Sequence, residues 1–136
     1  MYAHEITIRI AYADTDVMGF VYYGNYPRFY EIGRTEMIRS LGMTYREMEE
    51  KGVLMPVVNL SCEYIKPAHY DDLIRMTTML RELPKSRIKF YYELFNPSDE
   101  LIHKAETELI FLDSVRRKPV RAPQYLIDKL LPYFGN

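Results

Sequence analysis

Apolar and polar residues alternate near the start of the chain. Ile6, Ile8, Ile10 and Tyr12 fall on one side of an extended segment, and Glu5, Thr7 and Arg9 on the other. That period of two predicts a half-buried strand over Glu5–Tyr12. The period then lengthens: Tyr26, Phe29, Tyr30, Gly33, Met37 and Leu41 recur at intervals of three and four, with Arg28, Thr35 and Arg39 away from the stripe. This predicts a helix over Tyr26–Leu41 that packs its apolar side on a sheet. Asn25 stands where a helix cap is wanted, Pro27 suits a first turn, and Gly42 supplies the stop. Gly33 costs about 1 kcal/mol of helix propensity relative to Ala, so a close helix-to-sheet approach is expected there. Thr44 followed by Glu47 reads as a capping box for a short helix ended by Gly52.

From Val57 the period of two returns. Val58, Leu60, Cys62 and Tyr64 share a face, then Ile74, Met76, Thr78 and Leu80, then Ile88, Phe90, Tyr92 and Leu94, and finally Ala105, Thr107, Leu109 and Phe111. The separators Lys66–Asp72, Leu83–Ser86 and Asn96–Asp99 are turn-rich and short, which favours antiparallel meander neighbours. A last helix is expected from about Pro123 to Leu131. One domain spanning residues 1–136 is expected, of the α+β class, in which an antiparallel five-stranded sheet wraps one long helix. A single-layer sheet leaves edges and a back face to cover, so pairing with a second copy is the natural remedy.

Composition narrows the function. The chain is 48% hydrophobic, with no apolar run long enough to cross a bilayer, which points to a soluble protein. With 18 Lys+Arg against 19 Asp+Glu, the net charge of −1 gives no electrostatic reason to invoke nucleic acid. Met1 to Ala13 lacks a basic start followed by an apolar block, and a lone Cys62 makes no internal disulfide, so a cytoplasmic setting is expected. Cys62 lies in an apolar strand-like run without a neighbouring His, where a thiol packs rather than reacts. His4, His69 and His103 are scattered without metal-ligand spacing, and no metal is expected.

The chemistry concentrates between Ala11 and Tyr26, where Asp14, Asp16, Gly19 and Gly24 precede the long helix. A glycine-punctuated loop running into a helix leaves N–H groups without partners, a natural oxyanion or phosphate site, and Asp16 is close to it in sequence. Asp is also common in turns, where it bonds its own backbone, and that is the better reading of Asp14.

These residues resemble a known family, the hot-dog-fold acyl-CoA thioesterases related to 4-hydroxybenzoyl-CoA thioesterase, nearest the Tol-Pal-associated branch. The motif is Asp14-Thr15-Asp16, Gly19, Val21-Tyr22, Tyr26, Phe29-Tyr30-Glu31 and Arg34-Thr35-Glu36-Met37. Weaker matches at Glu63-Tyr64, Pro67-Ala68, Asp71-Asp72, Ala105-Glu106 and Lys118-Pro119 carry it through nearly the whole chain. The resemblance implies a hot-dog fold, an active site at or near a dimer interface, and often a tetramer of two such dimers. It places the catalytic carboxylate on Asp16 and the carbonyl-polarising backbone N–H on Tyr23. Asp16 is then a general base toward water or a nucleophile giving a mixed anhydride; the sequence leaves both open. The Tol-Pal-associated branch usually has His at the position of Tyr23, and the parent thioesterase has Tyr. A main-chain donor survives that exchange.

The implied reaction turns acyl-CoA and water into a carboxylic acid and coenzyme A without a dissociable cofactor. Gly24 and Tyr26 are candidate substrate contacts. Lys85, Ser86 and Arg87, in a turn between two strands, are candidates for the coenzyme A phosphates, against the ordinary reading of surface charge. Glu31 is either an ordering partner or a solvated residue. Tyr12, Tyr22, Tyr26 and Tyr30 are either pocket or core. The alternative function is a non-catalytic acyl-CoA binder or regulator on the same fold. A hydratase ranks last, because it would want a His beside the acid and none lies between Asp14 and Tyr26.

Overall fold

A computed structural model describes residues 1–135. Strand β1 (Tyr2–Arg9) leads through two single turns of 3-10 helix (Tyr12–Asp14 and Tyr23–Asn25) into α1 (Tyr26–Ser40) and the short α2 (Tyr45–Glu50). There follow β2 (Val53–Leu54), β3 (Val57–Tyr64), β4 (Leu73–Leu80), β5 (Arg87–Phe95), β6 (Leu101–Asp113), β7 (Pro119–Val120) and α3 (Gln124–Leu130). The long strands run in the order β1-β4-β5-β6-β3, all antiparallel, and the two-residue β2 and β7 pair with the end of β6.

The alternating positions read from the sequence form the inner face of the sheet. Ile74, Met76, Thr78, Leu80, Ile88, Phe90, Tyr92, Leu94, Ala105, Thr107, Leu109 and Phe111 are all buried. Against them lies the stripe of α1, with Tyr26, Phe29, Tyr30, Gly33 and Met37 buried. Gly33 sits where the helix lies close on the sheet: a Cβ there would lie 2.5 Å from Thr78 Oγ1 and 2.6 Å from Met76 Cε, so any side chain would have to displace them. Thr44 caps the short helix α2, its Oγ1 accepting from Glu47 N–H at 3.0 Å, but among the described residues the Glu47 side chain does not accept from Thr44 N–H, so only half of the expected capping box forms.

Several expectations are corrected. Tyr12 is not a strand residue; β1 ends at Arg9, and Tyr12 is exposed in the first 3-10 turn. Asn25 does not cap α1 with its side chain; its Nδ2 donates to the Asp14 carbonyl at 2.8 Å instead. The meander holds for β4-β5-β6 but not for β3 and β4, which lie on opposite sides of β5 and β6. The thirteen-residue β6 is long enough to pair on both of its sides, and it takes β3 as its second partner. The segment from Ile65 to Asp72 therefore crosses the end of the sheet. As a result β3 is an edge strand, exposed at all eight positions, and Cys62 is exposed rather than packed.

Candidate active site

The crossing segment meets the loop that follows β1, and the two make one wall. Val21 N–H donates to the Ala68 carbonyl at 2.8 Å, Phe20 bridges to His69, and Asp71 N–H donates to the Ile10 carbonyl at 2.9 Å. Within the loop, Asp14 is the anchor. Its buried carboxylate accepts from Ala11 N–H at 2.8 Å and from Arg28 at 2.7 Å, and its carbonyl accepts from Tyr22 N–H at 3.0 Å. The structural reading of Asp14 therefore holds.

Asp16 occupies the next turn. Its carbonyl accepts from Gly19 N–H at 3.0 Å, closing a tight turn that Gly19 completes at φ +87°, in the left-handed region. Its Oδ1 accepts from Met18 N–H at 2.9 Å, which fixes the carboxylate, and among the described residues Oδ2 has no partner. Tyr23 opens the 3-10 turn before α1. Among the described residues neither Tyr23 N–H nor Gly24 N–H has an acceptor, whereas the Tyr23 carbonyl accepts from Tyr64 Oη–H at 2.8 Å. Gly24 is confined by its neighbour, since a Cβ there would meet the Tyr22 ring at 2.7 Å.

Asp16, Tyr22, Tyr23 and Tyr26 line a cleft of about 380 Å³, closed opposite by Tyr64, Ile65, Lys66 and Pro67 and floored by Phe20 and Val21. Desolvation pushes the Tyr64 phenol up to about 12 and raises that of Tyr26, so both keep their protons. Lys66, the cation on the rim, is paired with Glu100. A second hollow of about 350 Å³ lies over β3, β4, β5 and β6, lined by Cys62, Glu63, Tyr91, Glu93, Lys104 and Glu106. The Asp16 cleft differs in that Tyr23 N–H, in the 3-10 turn that leads into α1, has no acceptor among the described residues.

The other sequence candidates lie elsewhere. Tyr30 is core, stacked on Tyr92 with ring centres 4.7 Å apart, and Glu31 is exposed on α1. Lys85, Ser86 and Arg87 are exposed at the opposite end of the sheet: Arg87 pairs with Ile110 of β6, while Tyr64 at the cleft pairs with His103. At roughly 3.3 Å per strand residue that is about 23 Å, and Arg87 is engaged with Glu108. One chain does not bring them to the cleft. Conversely, sequence reading gave no role to His103, now seen buried behind Tyr26, or to Tyr64 beyond its place in the resemblance. The crossing of Ile65–Asp72, which sets both, leaves no local signal. Among the described residues no group of three or more His, Cys, Asp or Glu is placed to hold a metal.

The sequence pattern of the Thioesterase-like superfamily matches residues 10–130, from the end of β1 to the end of α3. The chain belongs to that superfamily. The Bacillus subtilis protein YneP is 38% identical over 121 residues, covering 89% of this chain and 88% of that protein. Acyl-CoA thioesterase YbgC of Haemophilus influenzae is 32% identical over 118 residues, 86% of each chain. Among solved structures, the DHNA-CoA thioesterase of Staphylococcus aureus is 34% identical with a TM-score of 0.88, covering 94% of this chain and 86% of that one. The hot-dog fold, a sheet wrapped on one long helix, is thus shared by this superfamily member along nearly its whole length, and the matched region contains every residue of the cleft.

Proposed function

We propose that the protein hydrolyses acyl-CoA thioesters to a free carboxylic acid and coenzyme A, with Asp16 as general base or nucleophile and Tyr23 N–H polarising the thioester carbonyl. One observation carries the reading: a carboxylate with a free oxygen and an amide with no acceptor line the same largely aromatic cleft. As base, Asp16 takes a proton from water while the hydroxyl adds to the carbonyl carbon. The oxygen of that carbonyl becomes negative and is met by donors that need not reorganise. Collapse breaks the C–S bond, and the thiolate leaves and takes up a proton. As nucleophile, Asp16 displaces the same thiolate to form an anhydride that water then cleaves.

The active unit we infer is a homodimer joined through β3, with a homotetramer formed over the remaining sheet faces. What supports the dimer is an eight-residue edge strand exposed throughout, carrying Val57, Val58, Leu60 and Tyr64 at 40–48% exposure. A two-fold pairing of β3 with its copy runs the partner in reverse. It would carry the partner subunit's Lys85, Ser86 and Arg87 to the end of the joint sheet where Asp16 stands. The two cations and the Ser86 hydroxyl of the partner subunit then suit the coenzyme A phosphates from across the interface, with Gly24 and Tyr26 contacting the acyl end. A cytoplasmic setting fits the exposed Cys62 thiol, and no helix among the described residues is long and apolar enough to cross a membrane.

Thiol release from a graded series of acyl-CoAs tests the reading. Turnover of at least one is expected; tight binding of acyl-CoA without thiol release would instead favour the non-catalytic binder.

A further inference from the structure

Behind the cleft stands an aromatic cluster that the hydrolytic steps leave unused. His103 of β6 is fully buried; its Nε2 meets the Tyr30 hydroxyl, and its Nδ1 has no partner. The Tyr26 ring lies flat on the imidazole, with centres 4.1 Å apart and planes at 15°. The Tyr64 ring meets the imidazole edge-on at 4.8 Å, and meets Tyr26 at 5.3 Å and Tyr23 at 6.3 Å, all near perpendicular. Such geometries are attractive and directional, so the Tyr64 ring is held from three sides. Its hydroxyl is thereby aimed at the Tyr23 carbonyl, 2.8 Å away.

That carbonyl belongs to the peptide joining Tyr23 to Gly24, and the N–H of the same peptide is that of Gly24. A donor on the oxygen polarises the amide and strengthens its N–H as a donor in turn. It also fixes the peptide plane at a glycine, where the backbone would otherwise turn freely.

We propose that Tyr64 is a positioning residue for the thioesterase reaction, its hydroxyl locking the Tyr23–Gly24 peptide so that the amides of the 3-10 turn before α1 face the thioester oxygen, with His103 and Tyr26 holding its ring. The inference rests on the site reading above and goes beyond it, since it gives β3 and β6 a part in a step performed by the loop and α1. It also gives the second free amide, that of Gly24, a share in holding the oxyanion.

Tyr64→Phe tests it, because the half-exposed ring stays and only the hydroxyl goes. Expected is a kcat about tenfold lower, below the loss for deleting a direct oxyanion donor, with KM within about twofold and the thermal midpoint unchanged. The Gly24 amide resonance should move in the same variant, a readout that a merely structural tyrosine would not give. Parent-level kcat, a loss carried by KM alone, or an unmoved Gly24 resonance would overturn the positioning role. Asp16→Asn in the same assay separates the two readings. If it is inactive while Tyr64→Phe is fully active, the site stands and only this inference falls; if Asp16→Asn turns over like the parent, the site reading fails and takes the inference with it.

Discussion

The loop after β1 has two sides, and the same side chain does opposite things on them. On the inner side, Asp14 is buried, with both carboxylate oxygens and its carbonyl engaged by Ala11, Arg28, Tyr22 and Asn25. On the outer side, two residues later, Asp16 keeps one oxygen free and faces a cleft beside unengaged amides. A saturated carboxylate is committed to holding the chain in place, and an unsaturated one is available for chemistry. The inner side holds the outer one in register: the Asp14 carbonyl ties down Tyr22 N–H, the residue before Tyr23.

The contrast can be broken in order of expected effect. The largest belongs to the buried layer behind the cleft. Burial lowers His103 to about 4 from its ordinary 6.5, so the folded protein refuses a proton that the unfolded chain accepts below pH 6.5. Above pH 6.5 both forms are neutral and the fold loses nothing. As the pH falls from 6.5 to about 4, stability should drop by a total on the order of 3 kcal/mol, and below that this group adds no further loss. Denaturant midpoints across that window, parent against His103→Asn, read it; equal pH slopes would contradict it.

Next, Asp14→Ala should cost about 2 kcal/mol, a value held down by the partly exposed Arg28 partner, whereas Asp16→Ala should stay within about 0.5 kcal/mol of the parent. Thermal or denaturant unfolding of the pair checks this, and equal losses would erase the distinction between the two sides. Below the Asp14 loss comes Arg28→Ala, expected to cost under about 1 kcal/mol because its side chain is 57% exposed.

The sequence carried much of this because the core follows local periods. The inner face of β4, β5 and β6, the stripe of α1 and the close approach at Gly33 are all consequences of spacing, and each is where spacing puts it. The position of β3 is not local. Its apolar alternation equals that of its neighbours, but its exposure follows from β6 accepting a second partner, and from this come the exposed Cys62 and the far wall of the cleft. Asn25 misled because its side chain is engaged as a donor, Nδ2 to the Asp14 carbonyl, and its Oδ1 does not accept from the α1 N–H groups as a cap would. Lys85, Ser86 and Arg87 sit far from Asp16 within one chain because strand register, invisible in a linear reading, sends their turn to the other end. The pairing of Asp16 with Tyr23 came from the family resemblance rather than from spacing, since an Asp in a turn reads by itself as a turn residue; the fold brings both to one cleft.

The central claim is that the free carboxylate on the outer side of the loop drives thioester cleavage. Asp16→Asn keeps the shape of the turn and removes the charge. Steady-state thiol release with an acyl-CoA that the parent turns over should show kcat reduced by at least about a hundredfold at an unchanged thermal midpoint. Hydrolysis of every acyl-CoA at the parent rate would contradict the account.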